Sequence, residues 1–228
     1  MKPFYSAVIL MAGSSVRAKA SLPKQFMPLG NKRVYQHTLD TFYHSHLFDE
    51  VILVCHSDWV ERVQEETASL SSIVVVEGGA TRQASSFAGL RACHPGCNYV
   101  IIHDGARPFV SKEILEENSK QVTGHQAVNT CIPSSDTIIV TQEGSLIDTI
   151  PFRSHLRRGQ TPQSFAYPLI YEAHVKTKHT NATDDCQLVL ERGVSIFLVE
   201  GSEENFKITT PEDIEFANWK WAKKNLPS

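Results

Sequence analysis

Short apolar runs recur along the chain at 7–11 (AVILM), 51–55 (VILVC), 73–77 (IVVVE), 99–103 (YVIIH) and 127–132 (AVNTCI). They do not alternate with polar residues, so they read as strands buried on both faces. Segments with helical spacing lie between them. Val34, His37, Thr38, Leu39 and Phe42 share one face, and Trp59, Val60, Val63 and Ala68 share another. Ala84, Phe87, Ala88 and Leu90–Ala92 form a third, and Ile114, Leu115 and Val122 a fourth. Buried strands that alternate with helices predict a doubly wound, mostly parallel, Rossmann-like α/β sheet with helices on both faces. In that architecture ligands bind beyond the carboxyl ends of the strands.

The pattern breaks after residue 132. Residues 135–165 (SDTIIVTQEGSLIDTIPFRSHLRRGQTPQSF) carry no helical period. TQEGS reads as a hairpin loop between TIIV and LIDTI, which predicts an extended β-arm at about 135–160. Such an arm is either a flap over its own chain or an embrace of a second subunit. Helices resume at about 168–178 and 184–191, followed by strands VSIFLV (194–199) and FKI (206–208). The last helix opens with TPED, in which Thr210 suits the N-cap, Pro211 the first helical position and Asp213 the third. No repeat, low-complexity segment or linker divides the 228 residues, which predicts a single domain over 1–228.

Composition adds exclusions. A net charge of −3 argues against a general nucleic-acid binder, though not against a small anionic ligand. No apolar run reaches the ~18–20 residues of a membrane span. MKPFYSAVIL runs straight into a Gly/Ser turn, so it reads as a first strand and not a signal peptide. The five cysteines are odd in number and widely spaced, which suits reduced thiols and a cytoplasmic location. CHPGC (93–97) reads as a helix end and a Pro-Gly turn, because no second Cys/His pair follows at zinc-site spacing.

Candidate chemistry sits at three strand ends. After the first strand, Ala12-Gly13-Ser14-Ser15 offers backbone N–H groups to an anion, and Arg17 and Lys24 follow. The turn alone equally suits a bare β-to-α corner; it is neither GxGxxG nor a Walker A loop. Two cations beside it suit a triphosphate whose charge must be neutralised during reaction. After the third strand, Gly78-Gly79 lead into a helix start carrying Thr81, Arg82 and Ser85. The fourth strand delivers Asp104, with Arg107 three residues on. Asp104 either holds Mg²⁺ or caps the next turn and pairs with Arg107. His103 reads as a packed strand-end histidine. Three such ends in one sheet point to one shared site.

The stretches MAGSSVRAKASLPKQF, GGATRQASS, HDGARPF, SDT, TPQ, ATDD and FKITTPED occur in an order that resembles the 2-C-methyl-D-erythritol 4-phosphate cytidylyltransferase family over about residues 5–220. The resemblance departs at Met11, Ser15 and Gly105, none of which removes a charged group. It implies transfer of CMP from CTP to 2-C-methyl-D-erythritol 4-phosphate with release of pyrophosphate, in isoprenoid precursor biosynthesis. It implies that Arg17 and Lys24 stabilise the transition state on the triphosphate. Ala12, Gly13, Ser14, Gly79, Arg82, Ser85, Asp104 and Gly105 would surround the nucleotide, with Asp104 as the Mg²⁺ ligand. Arg107, Thr137, Arg153, Thr161, Thr183 and Lys207 would hold the acceptor, with Arg153 and Lys207 positioning it. The arm would exchange between subunits, which implies a homodimer.

Two rivals differ in substrate or reaction. A cytidylyltransferase for ribitol 5-phosphate or another polyol phosphate shares the AG…R…PKQ and HD…RP elements, but relatives of that kind tend to read VRP where this chain reads ARP. A nicotinamide-dependent Rossmann oxidoreductase would need a fuller glycine fingerprint and an acid ending the second strand, which here finishes VILVCHSD.

Overall fold

The computed structural model describes residues 2–13, 22–142 and 144–224. β1 (Phe4–Met11) is an interior strand of the main sheet. β2 (Pro28–Leu29) and β3 (Lys32–Arg33) form a small antiparallel pair turned at Gly30, whose φ is +58°. There follow α1 (Val34–Ser45), β4 (Glu50–Cys55), α2 (Val60–Thr67), β5 (Ile73–Glu77), α3 (Arg82–Ala92), β6 (Cys97–Asp104), α4 (Lys112–His125) and β7 (Ala127–Pro133). The chain ends with β8 (Arg157–Ala166), α5 (Tyr167–Lys176), α6 (Asp185–Leu190), β9 (Phe197–Glu200) and α7 (Pro211–Lys224).

Seven strands form one sheet in the order β5-β4-β1-β6-β8-β7-β9. β1 lies parallel to both β4 and β6, and β4 parallel to β5. The chain winds outward from β1 in both directions, so the carboxyl ends of β1 and β6 flank the switch point where such sheets bind ligands. β1 shows why its run has no polar alternation. Val8 and Leu10 face one buried cluster with Leu90 and Phe165, while Ala7, Ile9 and Met11 face another with Tyr35, Leu39 and Leu115. Each face is covered by helices, so every position must be apolar.

The predicted strands and helices form, with corrections in the second half. The arm is expected to run to about residue 160, but residues 157–166 form β8 and insert antiparallel between β6 and β7. This strand reads RRGQTPQSFA and is polar, yet Gln160, Thr161, Gln163 and Ser164 are all buried. Hydrogen bonds to neighbouring elements engage Gln160, Thr161, Ser164 and the Gln163 Nε2 group in place of apolar contact, leaving Gln163 Oε1 without a partner, and hydrophobic periodicity cannot report that. Residues 206–208 do not form a strand; Ile208 makes one backbone bond, to the Ala106 carbonyl at 2.9 Å. Among its described residues the arm carries a single bridge, Val140 to Thr149, instead of a continuous ladder. The TPED reading holds: Asp213 accepts from the Thr210 N–H at 2.8 Å, and Thr210 Oγ accepts from the Asp213 N–H at 3.3 Å.

Close packing sets how far α3 reaches toward the site. A Cβ on Gly89 would lie 2.4 Å from Val8 Cγ1 and 2.9 Å from Val54 Cγ2. Gly89→Ala would gain about 1 kcal/mol of helix propensity. Overpacking costs about 1–3 kcal/mol, and both partners are β-branched and stiff, so the clash should win. The expected result is a lower urea midpoint at unchanged m-value. A raised midpoint would show that α3 is not held by this contact.

Candidate active site

An open cleft of about 810 Å³ lies at the carboxyl edge of the sheet. Four strand ends border it: Met11–Gly13 after β1, His56 and Ser57 after β4, Glu77–Gly79 after β5, and Asp104 with Ala106 after β6. Lys24, Arg82 and Lys207 bring cations from three distant segments to the same walls.

Lys24 opens a short 3₁₀ turn, Lys24–Phe26, that is pinned from beneath. Buried Gln25 donates through Nε2 to the Met11 carbonyl at 2.6 Å and the Gly13 carbonyl at 3.1 Å. Phe26 stacks on Trp59 at 3.9 Å. Thus the PKQF stretch fixes Lys24 relative to the first strand end through its two neighbours. Arg17 and Ser14 lie outside the described residues.

The second wall is the start of α3. Thr81 Oγ caps it by accepting from the Ala84 N–H at 3.1 Å. Ser85 Oγ accepts from the Gly79 N–H at 3.1 Å and donates to the Thr81 carbonyl at 2.9 Å. A Cβ on Gly78 would fall 2.4 Å from that of Ala12, so only glycine lets these two strand ends approach. Arg82 donates to Asp185 Oδ2 at 2.7 Å. The other Asp185 oxygen accepts from Ser86 Oγ at 2.8 Å and pairs with His174 Nε2 at 2.9 Å. Burial raises the Asp185 pKa, but Arg82 and His174 outweigh it and hold the carboxyl at about 2.

Asp104 ends β6. Its Oδ2 lies 2.9 Å from Lys207 Nζ and 3.4 Å from Arg107 Nε. Burial disfavours its charge, but Lys207, Arg82 and Arg107 together hold the carboxyl far below the usual range. It is therefore an ionised hard oxygen donor, of the kind that holds Mg²⁺ with one carboxylate and substrate phosphates. Among the described residues no group of three His, Cys, Asp or Glu side chains forms a metal site of its own.

The structure gathers Ala12, Gly13, Lys24, Gly79, Arg82, Ser85, Asp104 and Lys207 on the cleft. It places the other expected residues elsewhere. Gly105 lies beneath the cleft, its N–H on the Leu10 carbonyl at 2.8 Å and its carbonyl accepting from Thr38 Oγ at 3.1 Å. Arg107 and Thr161 are buried, and their polar atoms are engaged by the protein itself. Thr183 is exposed just before α6, away from the cleft lining. Thr137 and Arg153 are out on the arm, where Arg153 donates to the Ser135 carbonyl at 3.3 Å. Gln25, Ser86, His174 and Asp185 were not singled out from sequence. Gln25, inside PKQ, Ser86, inside GGATRQASS, and Asp185, inside ATDD, had a motif to mark them; His174 had none.

The 2-C-methyl-D-erythritol 4-phosphate cytidylyltransferase family model matches residues 5–221. The chain belongs to this family. It is 38% identical over 218 residues to the 2-C-methyl-D-erythritol 4-phosphate cytidylyltransferase of Clostridioides difficile, covering 93% of this chain and 92% of the relative. It superposes on the 4-diphosphocytidyl-2C-methyl-D-erythritol synthase of Anaerococcus prevotii with a TM-score of 0.86, at 34% identity and 96% coverage of both chains. The corresponding cytidylyltransferase of Thermus thermophilus gives a TM-score of 0.77 at 31% identity, covering 94% of this chain and 98% of that one. As a member of the 2-C-methyl-D-erythritol 4-phosphate cytidylyltransferase family the chain is a nucleotidyltransferase of isoprenoid biosynthesis. No described helix is long and apolar enough to cross a membrane.

The Asp185 pairing has a pH signature. Its carboxyl sits at about 2 against an ordinary 3.8, so its stabilisation is present above the unfolded value and fades as pH falls through about 2. The size is on the order of 2 kcal/mol. Urea unfolding between pH 5 and pH 2 should show a smaller loss for Asp185→Asn than for the native chain. Identical losses would mean that Asp185 contributes nothing to the acid limb.

Proposed function

We propose that the cleft carries out in-line cytidylyl transfer from CTP to 2-C-methyl-D-erythritol 4-phosphate. The observation that carries this reading is the convergence of Lys24, Arg82, Asp104 and Lys207, from four separate segments, on one cleft at the sheet's switch point. An acceptor phosphate oxygen bonds to the α-phosphorus while the bond from that phosphorus to the β-phosphate bridging oxygen breaks, and pyrophosphate leaves with the electron pair. The nucleophile is already an anion, so no general base is needed. The protein's task is to hold two mutually repelling anions in line and to neutralise developing charge.

In this reading the strand-end loops at Ala12–Gly13 and Gly78–Gly79 line the cytidine, with Arg82 and Ser85 at the start of α3. Lys24, with Arg17, holds the triphosphate. Asp104 holds Mg²⁺, which would shield the phosphate charges when bound. Lys207 meets the acceptor phosphate. Its contact with Asp104 keeps the ammonium at the boundary between the metal-binding carboxylate and the acceptor side.

Arg153 and Thr137 complete the acceptor site only if the arm reaches another chain. Leu146 is 81% exposed and Phe152 78%, and Ile138, Ile139, Ile147 and Ile150 are exposed beside them. An apolar arm of this kind suits burial against a second copy in a closed homodimer. The reading places the enzyme in the cytoplasm, consistent with five buried, unpaired cysteines.

Two measurements test it. Lys24→Ala should fold normally by circular dichroism and lose about 10²–10³ in kcat, measured as pyrophosphate release, because it removes a charge used in the transition state. The same assay with ribitol 5-phosphate, and with other nucleoside triphosphates, should run far below CTP with 2-C-methyl-D-erythritol 4-phosphate. Near-native kcat in Lys24→Ala would sink the site assignment.

Co-refolding Lys24→Ala with Arg153→Ala tests the arm. If Arg153 serves the partner's site, a mixed dimer has one doubly defective site and one intact site. Random mixing then restores about a quarter of native activity, given two-fold symmetry. If Arg153 serves its own chain, every site keeps one defect and no activity returns.

A further inference from the structure

His103 is fully buried, and it stands one residue before Asp104. Its ring packs on Phe42 at 5.1 Å. Both ring nitrogens are engaged. Nε2 lies 3.3 Å from the Arg107 carbonyl, and Nδ1 lies 3.0 Å from Thr161 Oγ. A carbonyl only accepts, so Nε2 carries the proton. Thr161 Oγ, which carries its own hydroxyl proton, donates to Nδ1. Thr161 Oγ in turn accepts from the Asp104 N–H at 3.1 Å.

These bonds belong to a closed ring. Asn205 Nδ2 donates to the Thr161 carbonyl at 2.7 Å, and Arg107 donates to the Asn205 carbonyl at 2.8 Å. Arg107 Nε reaches Asp104 Oδ2 at 3.4 Å. Lys207 follows Asn205 by two residues, and Ile208 bonds the Ala106 carbonyl at 2.9 Å. The ring therefore ties together the end of β6, the middle of β8 and the segment that carries Lys207. A side chain that accepts on one side and donates on the other completes it.

We infer that His103 is a positioning residue for the transfer: through Thr161 and the Arg107 carbonyl it sets the turn that holds Asp104 and Lys207 at the cleft. This rests on the reading of Asp104 and Lys207 given above. It also gives Thr161 and Arg107 a role in this chain that requires no contact with the acceptor.

The test compares substitutions that separate packing from hydrogen bonding. His103→Phe keeps an aromatic ring against Phe42 but removes both nitrogens. Measured well below its Tm, it should lose about 10- to 100-fold in kcat and show a raised KM for the acceptor. Its CTP affinity without added metal should stay within about twofold, because the loops at Gly13 and Gly79 are outside the ring. His103→Gln restores an acceptor and a donor on one amide, and His103→Met has nearly the same shape with neither. Gln should be several-fold more active than Met, and this pair decides the matter if Phe does not fold. Native kcat and KM in a folded His103→Phe would overturn the inference. So would equal activity of Gln and Met, or a kcat that simply tracks Tm across the three. Asp104→Asn and Lys207→Ala serve as controls. If both keep native kinetics, the reading of the site itself falls; if both lose activity while His103→Phe does not, only the positioning role falls.

Discussion

The site depends on one buried negative charge. Asp104 sits at the end of an apolar strand, where an isolated carboxylate would be driven to protonate. It stays ionised because Lys207 and Arg82, from two other segments, and Arg107, three residues on, converge on it. The requirement runs both ways. Those cations lie near one another and would repel without the carboxylate between them. Folding the cleft and placing its charges are therefore one event, and the segment 205–208 is held to the sheet largely because its lysine and backbone complete this arrangement.

A second buried carboxylate repeats the device at the start of α3. Asp185, on α6, grips Arg82 while Ser86 and His174 satisfy its other oxygen. Arg82 thus lies between two acids, Asp104 and Asp185, and both raise its pKa. A long side chain loses much rotamer freedom when it binds an anion. Here that ordering is done during folding, so the guanidinium is already in place at the cleft.

The arm follows a different physics. The chain leaves the sheet after β7 and returns at β8, with one bridge among the described residues of the arm and a row of exposed aliphatic side chains. A two-stranded excursion of this kind has little stability of its own in water. Its apolar surface gains a structural reason only from another surface, and Arg153 lies at its base, donating to the Ser135 carbonyl. The cleft is assembled from one chain, while the residues expected to complete its acceptor end are carried away from it.

The sequence by itself determined the strands that are buried on both faces, because a two-sided core leaves no position for a polar residue and the runs are plain to read. It determined the caps, since Thr210 and Asp213 bond within one turn. It marked the cleft residues that follow a strand directly, such as Gly79 and Asp104, because strand ends in a parallel sheet share one edge. Only the tertiary structure decided the place of β8, a strand of buried Gln, Thr and Ser whose stability comes from hydrogen bonds to distant partners. It alone paired Arg82 with Asp185, 103 residues apart, and closed the ring through His103, Thr161 and Asn205. Hydrophobic periodicity is a local signal, whereas a buried polar group is explained only by the group it meets, and that meeting is made by the fold.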